Sequence, residues 1–231
     1  MIVHTHVSIS SAFPYTDIWK LVALWSHSWE AQGFTPIVTT QELFKTCSSV
    51  HKYLAKIKSF PSINPDGFDC AAFSRWVAAH VISGKLGVPI VSTECDLVNY
   101  SLTPDCLQLD QNHLHICRPE GCPVLAYGSS SGFESMLEAV NNHSVQEQDR
   151  VENRPHLSDQ DFICKYFSKS SMYSEICHSS LGVANVFDPD WQQAKLVHYG
   201  NPFIIRNGSR GTPKYQLIPT LRGLPGWQIP L

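Results

Sequence analysis

Two carboxylates, Glu94 and Asp96, stand one residue apart just after the apolar run VPIVS at residues 88–92. A short β-rich run of this kind is typical of a buried strand, and an open parallel sheet binds its ligands at the carboxyl ends of its strands. Two carboxylates in that position can hold a hard divalent cation, which prefers oxygen ligands and leaves positions open for phosphate oxygens. The simpler interpretation is that both residues are solvated parts of a turn.

The elements that must position these carboxylates alternate between strand and helix. Apolar residues recurring at three- and four-residue steps predict helices over residues 16–33, 40–44, 68–83, 131–140 and 158–167. Short β-rich or alternating runs predict strands over residues 2–7, 34–40, 88–92, 122–128 and 195–200. Because the connections are too long for hairpins, we expect an α/β fold with a mostly parallel central sheet flanked by helices.

The ends of these helices carry start and stop signals. Thr16 is a candidate N-cap of the first helix, and Gly33 is a candidate residue for its termination. After the segment GSSSG (128–132), Ser131 is followed three residues later by Glu134. This spacing predicts a capping box that opens the next helix at Ser131.

The composition excludes several classes of protein. Of the 231 residues, 43% are hydrophobic and 16% charged, which is not the composition of a disordered chain. The net charge of −3 gives no electrostatic argument for a polyanionic partner. No apolar run is long enough to span a membrane, and the first residues lack the pattern of a secretory signal. Eight scattered cysteines without a C-x-x-C pair then favour free thiols, so we expect a cytoplasmic protein.

Charge is divided unevenly along the chain. From Val197 onward the sequence carries Arg206, Arg210, Lys214 and Arg222 and no acidic residue, so this segment is +4 and the remainder is −7. A metal diphosphate is the kind of ligand that fits between an acidic body and a basic tail. The alternative is that the basic tail only keeps the surface soluble.

The order of several segments resembles that of the GT-A nucleotide-sugar glycosyltransferases. Ser-Arg-Trp (74–76) lies on a predicted helix, a β-run follows, and acid-x-acid-x-x-Asn-Tyr (94–100) then stands where that family has its D-x-D motif. WSHSWEAQGFTPIVTT (25–40) is similar to the family's first helix and second strand. DPDWQQAKLVHYG (188–200) is similar to its C-terminal element, in which a strand-end histidine joins the metal.

The resemblance implies both an architecture and an activity. Residues 1–200 would form one Rossmann-like GT-A domain, and residues 201–231 a basic tail or lid packed on it. The implied enzyme is a metal-dependent glycosyltransferase that moves a hexosyl or pentosyl group from a UDP- or GDP-sugar to an acceptor. That acceptor could be a saccharide, a protein, a small molecule or a modified nucleobase. The alternative is a non-catalytic α/β domain that binds a nucleotide or a protein partner, with a purely structural acidic pair.

The resemblance also implies roles for particular residues of the donor site. Asp96 would be the principal ligand of Mn²⁺ or Mg²⁺, and His198 the third protein ligand. Glu94 stands where the family usually has Asp, so it would reach the metal, a metal-bound water or the ribose. Arg75 would contact the nucleotide or brace the acidic loop, and Ser8, after the first strand, would lie beside the base.

Further residues are expected around the phosphates and the acceptor. Arg206 and Lys214, together with Arg210, would fold over the diphosphate as a lid. In the segment SDQD (158–161), Asp159 and Asp161 are candidate catalytic carboxylates near the acceptor. Both are equally well explained as acidic residues favoured at a helix N-terminus. The GSSSG segment is a second acceptor-side candidate with the same alternative explanation.

A zinc site is a competing possibility. His113, His115 and Cys117 would share one face of a strand. With Cys122 they have the ligand types of a tetrahedral zinc centre. Their spacing, however, matches none of the usual zinc motifs.

Other chemistry-bearing residues have weaker patterns. His4 and His6 on the first strand could mimic the metal-binding pair of a hydrolase, but the sequence shows no partners for them downstream. Trp191 and Trp227 lie outside the helical stripes and are candidates for contact with an acceptor sugar.

Overall fold

The computed structural model describes residues 1–8, 18–64, 67–107, 109–118, 122–200 and 214–227. The predictions made for Thr16, Arg206 and Arg210 fall outside the described residues. The strands are β1 (Ile2–Val7), β2 (Thr35–Thr40), β3 (Ile90–Thr93), β4 (Leu97–Asn99), β5 (Leu114–Cys117), β6 (Leu125–Gly128), β7 (Arg150–Val151), β8 (Arg154–Pro155), β9 (Tyr173–Ile176), β10 (Val183–Asn185) and β11 (Leu196–His198). The helices are α1 (Ile18–Glu30), α2 (Glu42–Lys45), α3 (His51–Lys58), α4 (Phe68–Leu86), α5 (Ser130–Asn142), α6 (Asp159–Lys165), α7 (His178–Leu181) and α8 (Lys214–Leu221).

Six strands form the central sheet in the order β2-β1-β3-β6-β5-β9. β6 runs antiparallel to both of its neighbours, and the other pairings in this sheet are parallel. A small sheet, β10-β11-β4, carries the C-terminal strand, and β7 and β8 form a hairpin. The predicted fold class, a mostly parallel α/β sheet flanked by helices, is confirmed.

Each face of the central sheet is covered by helices. Ile90 packs in a cluster with buried residues of α4 and α5, whereas its neighbour Val91 packs with Trp25 and Trp29 of α1. This division follows from the alternation of side chains along a strand. The helix α4 carries buried residues around most of its circumference because it lies between the sheet, α5 and α3.

The C-terminal helix α8 packs on the same core. Tyr215 and Ile218 are buried in a cluster that includes Leu21 and Leu24 of α1. The ammonium group of Lys20 lies 5.2 Å from the centre of the Tyr215 ring. These contacts hold the start of α8 close to the strand end that carries Asp96.

Two helix ends were tested directly by the structure. Gly33 adopts φ +84°, the left-handed conformation expected of a residue that terminates a helix. The predicted cap at Ser131 is wrong, because Ser129 is the N-cap and its hydroxyl accepts a bond from the Gly132 amide at 3.4 Å. The run of serines offers several caps, and the first serine after β6 takes the role. Among the described residues, no helix is long and apolar enough to cross a membrane.

Candidate functional site

The acidic loop between β3 and β4 carries Glu94 and Asp96 at the carboxyl edge of the central sheet. Two tryptophans of α1 fix its ends. The indole nitrogen of Trp25 donates to the hydroxyl of Thr93 at 2.9 Å, and that of Trp29 donates to the carbonyl of Leu97 at 3.0 Å. Since both tryptophans are fully buried, the apolar stripe of α1 positions the acidic loop.

Arg75 of α4 joins this loop to the start of α6. Its Nη1 donates to Glu94 Oε1 at 2.6 Å, and its Nη2 donates to Asp159 Oδ2 at 2.7 Å. The same carboxylate oxygen of Asp159 accepts a bond from the Trp76 indole at 3.0 Å. Arg75 is 8% exposed and Asp159 is 5% exposed. Because a buried charge is costly without a partner, Arg75 and its two carboxylates depend on one another.

His198, the last residue of β11, faces the acidic loop. Its Nε2 lies 3.0 Å from Glu94 Oε2 and 3.6 Å from Asp96 Oδ1. Its Nδ1 lies 3.0 Å from Asn185 Oδ1, and Asn185 is its register partner in the β10–β11 pairing. Donation from Nδ1 to Asn185 fixes the ring and directs Nε2 at the carboxylates.

Lys214, the first residue of α8, provides a further cation. Its Nζ donates to Asp96 Oδ2 at 2.5 Å. The side chains of Lys214 and Asp96 are 12% and 14% exposed, so the pair is largely shielded from solvent.

Opposite charges control the protonation of the cluster. Burial raises the pKa of Glu94, but Arg75, His198 and Lys214 outweigh burial and bring this pKa down to about 2. Burial lowers the pKa of His198, but Asp96 and Glu94 outweigh burial and raise it above its ordinary value. Glu94, Asp96 and Asp159 together with Arg75, His198 and Lys214 form a cluster of three acidic and three basic residues linked by short contacts.

The donor set of this cluster fits a divalent metal ion. Within the described residues, the ligand atoms of Glu94, Cys122 and His198 all lie within 4.8 Å of one another. Asp96 is not part of that group, but its Oδ1 lies 3.6 Å from His198 Nε2, and Glu94 Oε2 lies 3.0 Å from the same nitrogen. A metal bound to Asp96 would take the place of the ammonium group of Lys214.

A cavity of about 530 Å³ opens beside the cluster and has a second polar wall. His156 lies at the centre of that wall, with Nδ1 3.6 Å from Asp69 Oδ2 and Nε2 3.7 Å from Asp161 Oδ2. Ser158 is the N-cap of α6, and its hydroxyl donates to Asp161 at 2.7 Å. Gln160 also lines the cavity.

The structure brings most of the predicted site residues together. Glu94, Asp96, Asp159, Asp161 and His198 all line the cavity, and Arg75 and Lys214 bond directly to three of them. Ser8 follows β1 and lies 3.4 Å from His6 Nε2. Within the described part of the chain, Ser8 is not among the residues that line the cavity.

The four predicted zinc ligands are not brought together. Cys122 lies with the acidic loop, and Cys117 is a fully buried core residue. His113 and His115 instead surround Asp110. His115 and Cys117 lie on β5, whereas His113 precedes this strand and Cys122 follows it.

The histidines of β1 are structural. His4 Nε2 lies 2.8 Å from the Thr39 hydroxyl, and His6 Nδ1 lies 3.0 Å from the same hydroxyl. Trp191 packs edge-on against Tyr199, and Trp227 packs against His27. Among the described residues, neither tryptophan lines the cavity.

Several residues that line the cavity were not predicted from the sequence, among them Asp69, His156, Gln160 and Asn185. Asn185 becomes relevant only through its pairing with His198, and Asp69 reaches the cavity from the first turn of α4. Gln160 could have been predicted from the sequence, because it stands between the two aspartates of the SDQD segment.

Comparison with known proteins places this geometry in context. No protein-family model and no curated protein matches the chain. Several solved structures do match it over most of their length. A glycosyltransferase involved in glycosylation of the major capsid of PBCV-1 has a TM-score of 0.55 at 11% identity, covering 91% of this chain and 99% of that one.

The fold of this chain is similar to that of several solved glycosyltransferases. An active-site mutant of LgtC matches with a TM-score of 0.52 at 12% identity, covering 87% of this chain and 88% of that one. Mouse xyloside xylosyltransferase 1 matches with a TM-score of 0.52 at 13% identity, covering 86% of this chain and 97% of that one. At these identities the likeness concerns the fold, so the chemistry must be argued from the site itself.

Proposed function

We propose that the protein is a metal-dependent glycosyltransferase that uses a nucleotide-diphosphate sugar as donor. The observation that carries this proposal is the convergence of Glu94, Asp96, His198 and Lys214 on one cavity at the carboxyl edge of the sheet. The sheet order places this edge where open α/β folds bind nucleotides. The glycosyltransferase fold and the cavity support the same interpretation.

The metal would be held by Asp96, His198 and Glu94. A bound Mn²⁺ or Mg²⁺ would neutralise the negative charge of the departing diphosphate. Arg75 donates to Glu94 and so positions the acidic loop. Asn185 holds the His198 ring and so keeps Nε2 directed at the loop.

Lys214 would serve the donor phosphates. In the described structure its ammonium group neutralises Asp96. With a metal held by Asp96, the ammonium group of Lys214 would be available to bind a phosphate oxygen of the donor. Arg206 and Arg210, which precede Lys214 in the basic tail, are proposed to act with it.

The second wall of the cavity would receive the acceptor. Asp159 Oδ2 accepts bonds from both Arg75 and Trp76, so Asp159 is proposed to position the cluster. Asp161 is 29% exposed at its side chain and lies beside His156. Asp161 is therefore the better placed of the two carboxylates to accept a proton from an acceptor hydroxyl.

Thermal unfolding in the presence of nucleotide and metal tests the donor half of the proposal. UDP or GDP should raise Tm by several degrees only when Mn²⁺ or Mg²⁺ is present, since a ligand at about 100 times its Kd stabilises a protein by about 2.7 kcal/mol. Asp96→Asn should abolish this shift. Asp105→Asn, at an exposed position in the loop after β4, is the matched control and should keep it.

Two results would contradict the proposal in different ways. If neither nucleotide stabilises the protein with either metal, the non-catalytic alternative gains support. If the shift survives in Asp96→Asn, nucleotide binds without the assigned metal ligand.

A further inference from the structure

A second cluster of metal-binding residue types lies far from the cavity, at the start of β5. We propose that Asp110, His113 and His115 form a zinc-binding site. This inference concerns a separate site and does not depend on the proposed glycosyl transfer. Its ligand atoms, one from each residue, lie within 4.8 Å of one another.

The geometry of the cluster is close to that of a metal site. Asp110 Oδ1 lies 2.8 Å from His113 Nδ1, and His115 Nε2 lies 3.1 Å from Asp110 Oδ2 and 2.9 Å from the backbone carbonyl oxygen of Asp110. In a tetrahedral zinc site with bonds of about 2.0–2.1 Å, neighbouring ligand atoms are about 3.3 Å apart. The two Asp110–histidine contacts are within about half an ångström of this spacing, and the ligand nitrogens of His113 and His115 lie within 4.8 Å of each other.

The three residues differ in burial in a way that suits metal entry. The His115 side chain is 6% exposed, and its ring packs against Tyr127 with 6.2 Å between centroids. The side chains of His113 and Asp110 are 41% and 49% exposed. One ligand is thus held by the core while the other two face solvent, which provides both a fixed anchor and an entry path.

Among the described residues, Asp110 forms ion pairs with His113 and His115 and with no lysine or arginine. Burial, and then the nearby Asp110 carboxylate, raise the pKa of Tyr127. A cation between the carboxylate and the imidazoles would neutralise the charge of Asp110.

The ligand types favour zinc over the metals proposed for the cavity. Two imidazoles and one carboxylate are ligands that Zn²⁺ prefers, whereas Mg²⁺ and Ca²⁺ prefer oxygen donors alone. Three protein ligands leave a fourth position for water.

The position of the cluster in the fold indicates what zinc would do there. β5 runs in the same direction as β3, because both are antiparallel to β6. The start of β5 therefore lies at the edge of the sheet opposite the acidic loop. The hydroxyl of Ser129, at the start of α5, donates to the carbonyl of Gln111 at 3.2 Å. A metal here would fasten the loop before β5 to the strand and to the adjoining helix start.

Calorimetric titration of the metal-stripped full chain with ZnCl₂ tests the proposal. The titration is done in a His198→Ala background, because this substitution removes the imidazole of the cavity cluster. We expect one equivalent of Zn²⁺ to bind. Asp110→Asn and His113→Gln, each in that background, should weaken binding at least tenfold. His178→Gln, at an exposed histidine outside the cluster, should leave it unchanged.

A second measurement keeps the proposal testable if the His198→Ala protein does not fold. In the wild-type chain, zinc should shift the imidazole NMR signals of His113 and His115. Absence of zinc binding in the folded His198→Ala protein would overturn the proposal, as would binding that is unaffected by both cluster substitutions. Loss of nucleotide binding in Asp96→Asn with zinc binding retained would separate this site from the proposed function.

Discussion

Two buried histidines on strands, His4 in β1 and His198 in β11, have pKa values shifted in opposite directions because their neighbours differ. His4 contacts the hydroxyls of Thr39 and Ser92 at 2.8 and 3.3 Å. Burial, and then the nearby His6, lower the pKa of His4 to about 3. His198 is nearly as buried, yet Asp96 and Glu94 overcome the effect of burial and raise its pKa.

The comparison separates a structural region from a candidate chemical one. Hydroxyl partners leave an imidazole neutral and satisfied within the core, as at His4. The carboxylate partners of His198, Glu94 and Asp96, also pair with Arg75 and Lys214, and together these residues form a dense cluster of ion pairs. Such a cluster beside a cavity is a better indicator of function than a histidine on a strand.

Removing Arg75, one of the three basic residues of the cluster, should produce the largest change. Arg75→Met leaves the buried Asp159 with the Trp76 indole as its remaining bonding partner among the described residues, and we expect a loss of about 3–5 kcal/mol in the free energy of unfolding. Chemical denaturation measures this loss. Lys45→Met removes an ion pair of similar length, 2.7 Å, whose side chains are both 72% exposed, and it should cost less than about 0.5 kcal/mol. Equal losses of stability in the two variants would contradict the claim that the buried cluster depends on Arg75 more than an exposed ion pair depends on Lys45.

The partner of His198 should matter for metal affinity. Asn185→Ala removes the bond that orients the His198 ring, and we expect metal affinity in the presence of nucleotide to fall about 10- to 100-fold. Titration calorimetry with Mn²⁺ measures the change, with Asn142→Ala, exposed at the end of α5, as the control. Unchanged affinity in a folded Asn185→Ala protein would remove His198 from the metal site.

The neutral histidines should make stability depend on pH. Because the folded pKa of His4 is about 3 and its ordinary value is 6.5, the unfolded chain binds the extra proton between these values. Stability is therefore fully present above pH 6.5 and falls as the pH drops toward 3, by about 2 kcal/mol at pH 5. Denaturation at pH 7 and pH 5 measures the difference, and His4→Gln should reduce it. If His4→Gln leaves the pH dependence unchanged, the loss of stability at pH 5 does not come from His4.

The alternating strand and helix pattern was sufficient to predict the fold class, because hydrophobic periodicity reflects which face of each element is buried. The acidic loop could also be predicted, since a strand end followed by two carboxylates is a local feature. Asn185 and His156 could not, because each acquires its role through residues distant in sequence. The pairing of β10 with β11 places Asn185 beside His198, and α4 and α6 bring Asp69 and Asp161 to His156.

The hydrolysis of nucleotide sugars in the absence of acceptor tests the central claim most directly. We expect the wild-type chain to release nucleoside diphosphate slowly from a UDP- or GDP-sugar, with Mn²⁺ or Mg²⁺ required. Release should be lost in Asp96→Asn and kept in Asp105→Asn. Metal-independent release, or equal release by wild type and Asp96→Asn, would contradict the claim that the acidic loop, His198 and Lys214 form the donor site of a glycosyltransferase.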